Sequence, residues 1–308
     1  MQYRRTRPPL LRAPDTDPSA GRRLRRLHAA GKAVRLRAGV YIDAGLWAGL
    51  DPGDRHLVRA WAIAPDVALT AAFSHVTAAL IHGWALLGGI TDRVHVVDGS
   101  LHGVEHRSGV VRHGAGGGSC GIAAVRFDGV AVTDHLTTAV QLALTSEPHV
   151  AAVAIDSAIR AGHLEVGRFE AALPVGPARG SRRARSVVAA LDPLHESVGE
   201  SFTAIRMVEC GITTIEAQHE FRAPEHVDRV DFWLPELGVV VEFDGKQKYS
   251  DPAMLGHRSP PEALWQEKVR EDRLRRRPEV RTVVRPTWWH LVELDRFRAL
   301  FRSHGVIL

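Results

Sequence analysis

Asp231, Glu242 and Asp244 are acids set into a stretch that otherwise reads as buried strand, Asp228 to Lys248. Val230, Phe232 and Leu234 alternate with Asp231 and Trp233, the period of two that marks a strand. Pro235 to Gly238 supply a turn, and Val239, Val240, Val241 and Phe243 form a second β run interrupted by Glu242. Neighbouring strands joined this way bring Asp231 beside Glu242, with Asp244 on the same face two residues on. Lys246 and Lys248 leave the end of that strand.

Carboxylates clustered at the end of a sheet repel one another unless a positive charge lies among them. A divalent cation answers that need. Mg²⁺ prefers one or two carboxylates plus waters and phosphate oxygens. It acidifies a bound water, stabilises charge on a phosphate and orients the leaving group. A nearby lysine adds positive charge or positions the attacking water. The alternative is a surface hairpin whose acids are salt-bridged.

Asp231, then Glu242-Phe243-Asp244-Gly245, with Lys248 just after, resembles the PD-(D/E)XK nuclease superfamily, and more narrowly its Vsr-like branch. The likeness covers roughly residues 190 to 305. Glu200 and Ser201 open a leading helix, and Gln218 sits on a first strand. Glu267, Lys268, Arg270, Glu271 and Asp272 fill a later helix, and Val283-Val284-Arg285 ends a last strand, with Trp288 after it. The resemblance implies Asp231, Glu242 and Asp244 as ligands of Mg²⁺ (or Mn²⁺), with Glu200 completing the acid set and Gln218 orienting the site. In the superfamily pattern a lysine stands two residues after the second acid. Here Asp244 occupies that position, so the lysine role falls to Lys248, or else to Lys246. Arg285 and Trp288 are expected to be structural.

Positioning these residues requires the order α-β-β-β-α-β: a helix over Glu196–Cys210, strands over Thr214–Arg222 and the central hairpin, a basic helix over Glu262–Arg277, and a strand over Val280–Arg285. Lys268, Arg270 and Arg273 on that basic helix are candidate phosphate contacts. Residues 249–261 read as a loop.

Residues 1–19 are rich in arginine and proline and read as irregular. A helix over Ala20–Ala30 and a hairpin from Ala33–Arg37 and Val40–Asp43 then resemble the back half of a winged helix. Arg22, Arg23, Arg25, Arg26, Arg35 and Arg37 are its candidate DNA contacts, or else a solvated basic face. This segment, together with Phe73-Ser-His-Val-Thr-Ala-Ala-Leu-Ile-His-Gly83 and Val130-Ala-Val-Thr-Asp134, resembles AbiEi-family antitoxins of type IV toxin–antitoxin systems. His75 and His82 are seven apart on a helix from Ser74 to Trp84, sharing one face. With no third ligand at useful spacing, they read as core or capping histidines. Strands are expected over Arg93–Val97, Gly109–His113 and Ile122–Phe127. Gly114–Gly118 lacks the P-loop form and reads as a hairpin loop. Helices follow over 134–145, 149–161 and 166–173.

The 308 residues carry a net charge of +5 and 45% hydrophobic content, enough for two domains with globular cores. Cys120 and Cys210 have no C-x-x-C partner, which argues against a zinc ribbon or a disulfide scaffold. Met1 to Pro9 has no apolar run of a signal peptide, and no stretch of about twenty apolar residues spans a membrane. A cytoplasmic location follows.

The expected fold class is α/β (α+β). It comprises a partial, degraded winged-helix segment (1–50), an antitoxin-like mixed module (51–173), a basic linker (174–186) and a restriction-endonuclease-like domain (187–308). The leading functional expectation is a metal-dependent endonuclease hydrolysing DNA phosphodiester bonds. The alternative is a non-catalytic DNA-binding regulator or type IV antitoxin-like protein that uses the nuclease fold as a scaffold. The implied partners are DNA and a toxin protein; the oligomeric state stays open.

Overall fold

Helices and strands alternate along the chain to build three sheets. The computed structural model describes residues 6–14, 17–67, 70–115, 122–245 and 269–308. The chain divides into two units, Met1–Val150 and Ala151–Leu308. The make-up is mixed α/β, as the sequence patterns require. No described helix is long and apolar enough to cross a membrane.

In the first unit, Asp17 caps α1 (Pro18–Ala29), its carboxylate accepting from the N–H groups of Ser19 and Ala20, with Pro18 in the first turn. Leu24 turns inward onto Ala33 and Tyr41, leaving the arginines outside. β2 (Ala33–Arg37) and β3 (Val40–Asp43) form the expected hairpin, Gly39 takes the positive φ of its turn, and the short helix α2 (Ala44–Ala48) follows. The segment expected to be irregular contributes a strand: β1 (Leu11–Arg12) pairs with β3, completing the sheet β1-β3-β2. Periodicity cannot reveal a two-residue strand.

The same unit holds a six-stranded sheet built on α3 (Pro52–Ile63), β4 (Ala71–Phe73), α4 (His75–His82) and β5 (Val94–Asp98). To these it adds β6 (Val104–Arg107), β7 (Val110–Gly114), β8 (Ala124–Phe127), β9 (Val130–Thr133) and α5 (His135–Thr145). The strand order is β6-β7-β5-β4-β9-β8. Expectation and structure part over Gly114–Gly118. β7 hairpins back onto β6 through Ser108-Gly109, and β8 onto β9 through Asp128-Gly129; all four turn residues have positive φ, as such tight turns need. The segment from 114 therefore joins strands far apart in the sheet and is no hairpin loop; residues 116–121 lie outside the described residues. Every residue of α4 is buried.

The second unit begins within α6 (Pro148–Arg160), followed by α7 (Val166–Ala171) and α8 (Ser181–Ala190). Two boundaries thus differ from those expected. The helices 151–171 sit with the C-terminal unit, and the stretch expected as a basic linker is helical from Ser181 on. The reason is apolar periodicity at three-residue steps: Ala184, Val187 and Ala190 are buried along one face of α8 while its arginines point out.

Ser197 then caps α9 (Val198–Glu209). β10 (Glu216–Ala223), β11 (His226–Leu234) and β12 (Val239–Val241) run antiparallel in sequence, and β13 (Thr282–Val284) adds in parallel to β12, giving the order β10-β11-β12-β13. The turn falls at 235–238 with Gly238 at positive φ. Phe221, Trp233, Val240 and Val283 pack on one face of the sheet with Leu274 of the helix 269–275. On α9, Gly199 lies so close to Phe243 that a Cβ there would stand 2.1 Å from the ring. Only glycine permits that approach of helix to strand.

Candidate functional site

The antiparallel register of β11 and β12 pairs Phe232 with Val241 and Trp233 with Val240. Carried one step further, it sets Asp231 across from Glu242. β12 ends at Val241, but the backbone continues in line: Glu242 donates its N–H to Val284 at 3.0 Å, and Asp244 donates to Pro286 at 2.9 Å. Glu242 and Asp244 therefore stay two extended residues apart, as the sequence spacing requires.

The Asp231 carboxylate accepts the N–H of Phe243 at 2.8 Å. The Glu242 side chain is only 12% exposed. Arg270 donates to its Oε1, and Arg285 to its Oε2 at 3.2 Å. Arg285 also pairs with Glu271 at 3.0 Å, and Arg275 joins Glu271 at 2.8 Å. A largely buried carboxylate between two guanidinium groups is a compensated charge. Arg285 and Trp288 support the site: Trp288 sets its ring edge-on to Phe243 at 4.8 Å.

Glu200 differs from its expected part in the acid set. It is buried, and both oxygens are engaged: Oε1 accepts from the Ser197 hydroxyl at 2.6 Å, and Oε2 from the Glu196 N–H at 2.9 Å and the Gln218 amide at 2.8 Å. Ser197 Oγ in turn accepts the Glu200 N–H at 3.1 Å. Ser-x-x-Glu is the signature of a capping box, so the signal was in the sequence. Gln218 does belong to this group, and it adopts a φ of 52°, a conformation costly for a residue with a side chain.

The candidate nucleic-acid contacts divide. Arg22, Arg23, Arg25, Arg26 and Arg35 are exposed on α1 and β2. Arg37 is paired with Asp66. On the basic helix, Arg270 is turned inward onto Glu242 and the carbonyl of Arg229. Arg273 grips the buried Asp228 with two hydrogen bonds, 2.5 and 3.2 Å. Burial would raise the Asp228 carboxyl, but the hydrogen bond and charge of Arg273 outweigh it and hold it below its usual range. Lys246, Lys248 and Lys268 lie outside the described residues, as does the loop 249–261.

Sequence spacing paired His75 with His82; the structure separates them. His82 Nε2 meets the Thr133 carbonyl at 2.7 Å, and its ring packs against Trp84 and His135. His75 instead meets His95 and His113, and one ligand atom from each ring lies within 4.8 Å of the others. Among the described residues this is the one such group of three metal-ligating side chains. Ser74 begins α4 as expected, but its hydroxyl bonds the His75 ring at 2.9 Å rather than capping the helix.

No family model matches this chain, and neither a curated protein nor a solved structure matches it.

Proposed function

We propose that the C-terminal unit is a metal-dependent endonuclease that hydrolyses DNA phosphodiester bonds where the β11–β12 ladder ends. The observation that carries this reading is the register: Asp231 stands across from Glu242, and Asp244 follows on the same extended segment. Two or three carboxylates at one sheet end match the oxygen chemistry of Mg²⁺ or Mn²⁺, which needs no closed protein cage and takes waters and phosphate oxygens for the rest. Asp231 and Glu242 would hold the ion, with Asp244 beside them, and the ion would supply an activated water and charge stabilisation at the phosphate. Glu200 and Gln218 act one layer back, fixing the start of α9 against β10.

Incubating plasmid and single-stranded DNA with the full chain and Mg²⁺ or Mn²⁺, beside Glu242→Ala, tests the reading. Cleavage should require the metal and fall about 100-fold or more in the variant.

A second reading is a non-catalytic DNA-binding regulator or antitoxin-like protein. Its support is specific: both oxygens of Glu242 are held by Arg270 and Arg285, and an acid, Asp244, stands where the nuclease pattern carries lysine. Folded protein that binds DNA and cuts none of it in either metal selects this reading. The exposed arginines of α1 would then be the place to look for the DNA contact.

A further inference from the structure

The six-stranded sheet brings together three histidines that lie 20 and 18 residues apart in sequence. β5 and β7 are parallel, with His95 opposite Val111 and Val97 opposite His113. His95 and His113 are therefore diagonal neighbours on one face. β4 pairs with the other edge of β5, and the Ser74 N–H donates to the His95 carbonyl at 3.0 Å, which delivers His75 to that face at the start of α4.

We propose that His75, His95 and His113 bind a single transition-metal ion of the Zn²⁺ class, joining the start of α4 to β5 and β7. His95 Nδ1 and His113 Nε2 are 3.0 Å apart. Two imidazole nitrogens on one tetrahedral Zn²⁺, each at about 2.0–2.1 Å, are separated by about 3.3 Å. The existing spacing is thus close to that of two ligands on one ion. The His75 ring stacks on His113 with centroids 3.8 Å apart. The Ser74 hydroxyl on its Nδ1 leaves Nε2 as the ligand atom and fixes the ring, the role that second-layer partners play at histidine metal sites.

Charge state supports the same conclusion. Burial, then the neighbouring imidazoles, keep His75 well below the ordinary histidine range and hold His95 at about 4; burial also lowers His113. Each of these shifts favours the neutral ring, the form that binds metal. One ring N–H now bridges His95 and His113. Moving that proton to the far nitrogen of its own ring frees both lone pairs, so loading needs a tautomer change and no net proton loss.

The backbone is also set for this purpose. His75 has a φ of 53°, and its N–H donates to Gln141 at 3.2 Å. A strained non-glycine residue at the head of a buried helix persists where surrounding groups over-determine it, and such residues gather at ligand sites. The ligand type separates this site from the acids of the other unit, because imidazole favours late first-row metals and carboxylates favour Mg²⁺.

The test uses the full chain without a histidine tag, stripped with a chelator, titrated with Zn²⁺ alone, desalted and analysed for metal. One ion per chain is expected in the wild type and in Glu242→Ala, and none above background in His95→Ala or His113→Ala. A ligand variant that fails to fold is covered by X-ray absorption of the Co²⁺-loaded wild type. That spectrum should show about three imidazole nitrogens at a single metal. No stoichiometric ion in the wild type, full retention in His95→Ala, loss in Glu242→Ala alone, or a cobalt spectrum without imidazole would each overturn the proposal.

Discussion

Asp231 and Phe243 are joined by a hydrogen bond of 2.8 Å from the Phe243 N–H to the Asp231 carboxylate, and it falls where the β11–β12 ladder stops. A side chain thereby takes over from a backbone carbonyl and holds the strand that carries Glu242. On the proposed nuclease reading Asp231 has two duties that substitution can separate. Asp231→Asn keeps an acceptor for Phe243 and removes the charge; Asp231→Ala removes both. Cleavage should fall about 100-fold or more in each. Stability measured by urea unfolding should fall by about 1–2 kcal/mol only in the alanine variant. Equal stability of the two would show that the hydrogen bond contributes nothing.

Gln218 reverses the usual rule for strands. Glycine in a strand is ordinarily worse than alanine by about 0.5–1 kcal/mol. At a φ of 52° the backbone strain costs an alanine about 1 kcal/mol or more. Both Gln218→Gly and Gln218→Ala lose the bond to the buried Glu200. The glycine variant should therefore be at least as stable as the alanine variant, which paired urea midpoints will reveal.

Asp228 and Arg273 should make the C-terminal unit sensitive to acid. The folded carboxyl lies below its unfolded value of about 3.9, so its stabilising effect is complete above about pH 4 and is lost as the pH falls through the folded value. Asp228→Asn should be less stable than wild type at pH 7, by about 1–3 kcal/mol. Denaturation between pH 7 and pH 2.5 should show that gap closing below about pH 4. A gap that stays constant would sink the assignment.

The central hairpin was legible because its information is local. Val230 to Phe243 carries a period of two, a turn with proline and glycine, and acids at fixed offsets, so the register follows once the turn is placed. What escaped is non-local. The histidine cluster depends on β7, β5 and β4 lying side by side out of chain order, and β4 and β9 are too short to announce themselves. The one sequence sign was a polar ring inside the apolar run of Val94, His95, Val96 and Val97. The partners of Glu242 escaped too: Arg270 and Arg285 lie 28 and 43 residues further on. On the helix alone, Arg270 looks like any solvent-facing base.

The two guanidinium groups on Glu242 also bear on the order of events in the life of the chain. A buried acid without a counter-charge would make folding wait for a cation, as small metal-dependent domains do. Here the chain brings its own counter-charges from the helix 269–275 and from the residue after β13. On the proposed reading, the C-terminal unit would reach its native shape in ion-free solution, and an arriving cation would compete with a guanidinium rather than fill a void. Assembly and loading would then be separate steps, and the ease of exchanging one positive group for another would set how readily the site is charged.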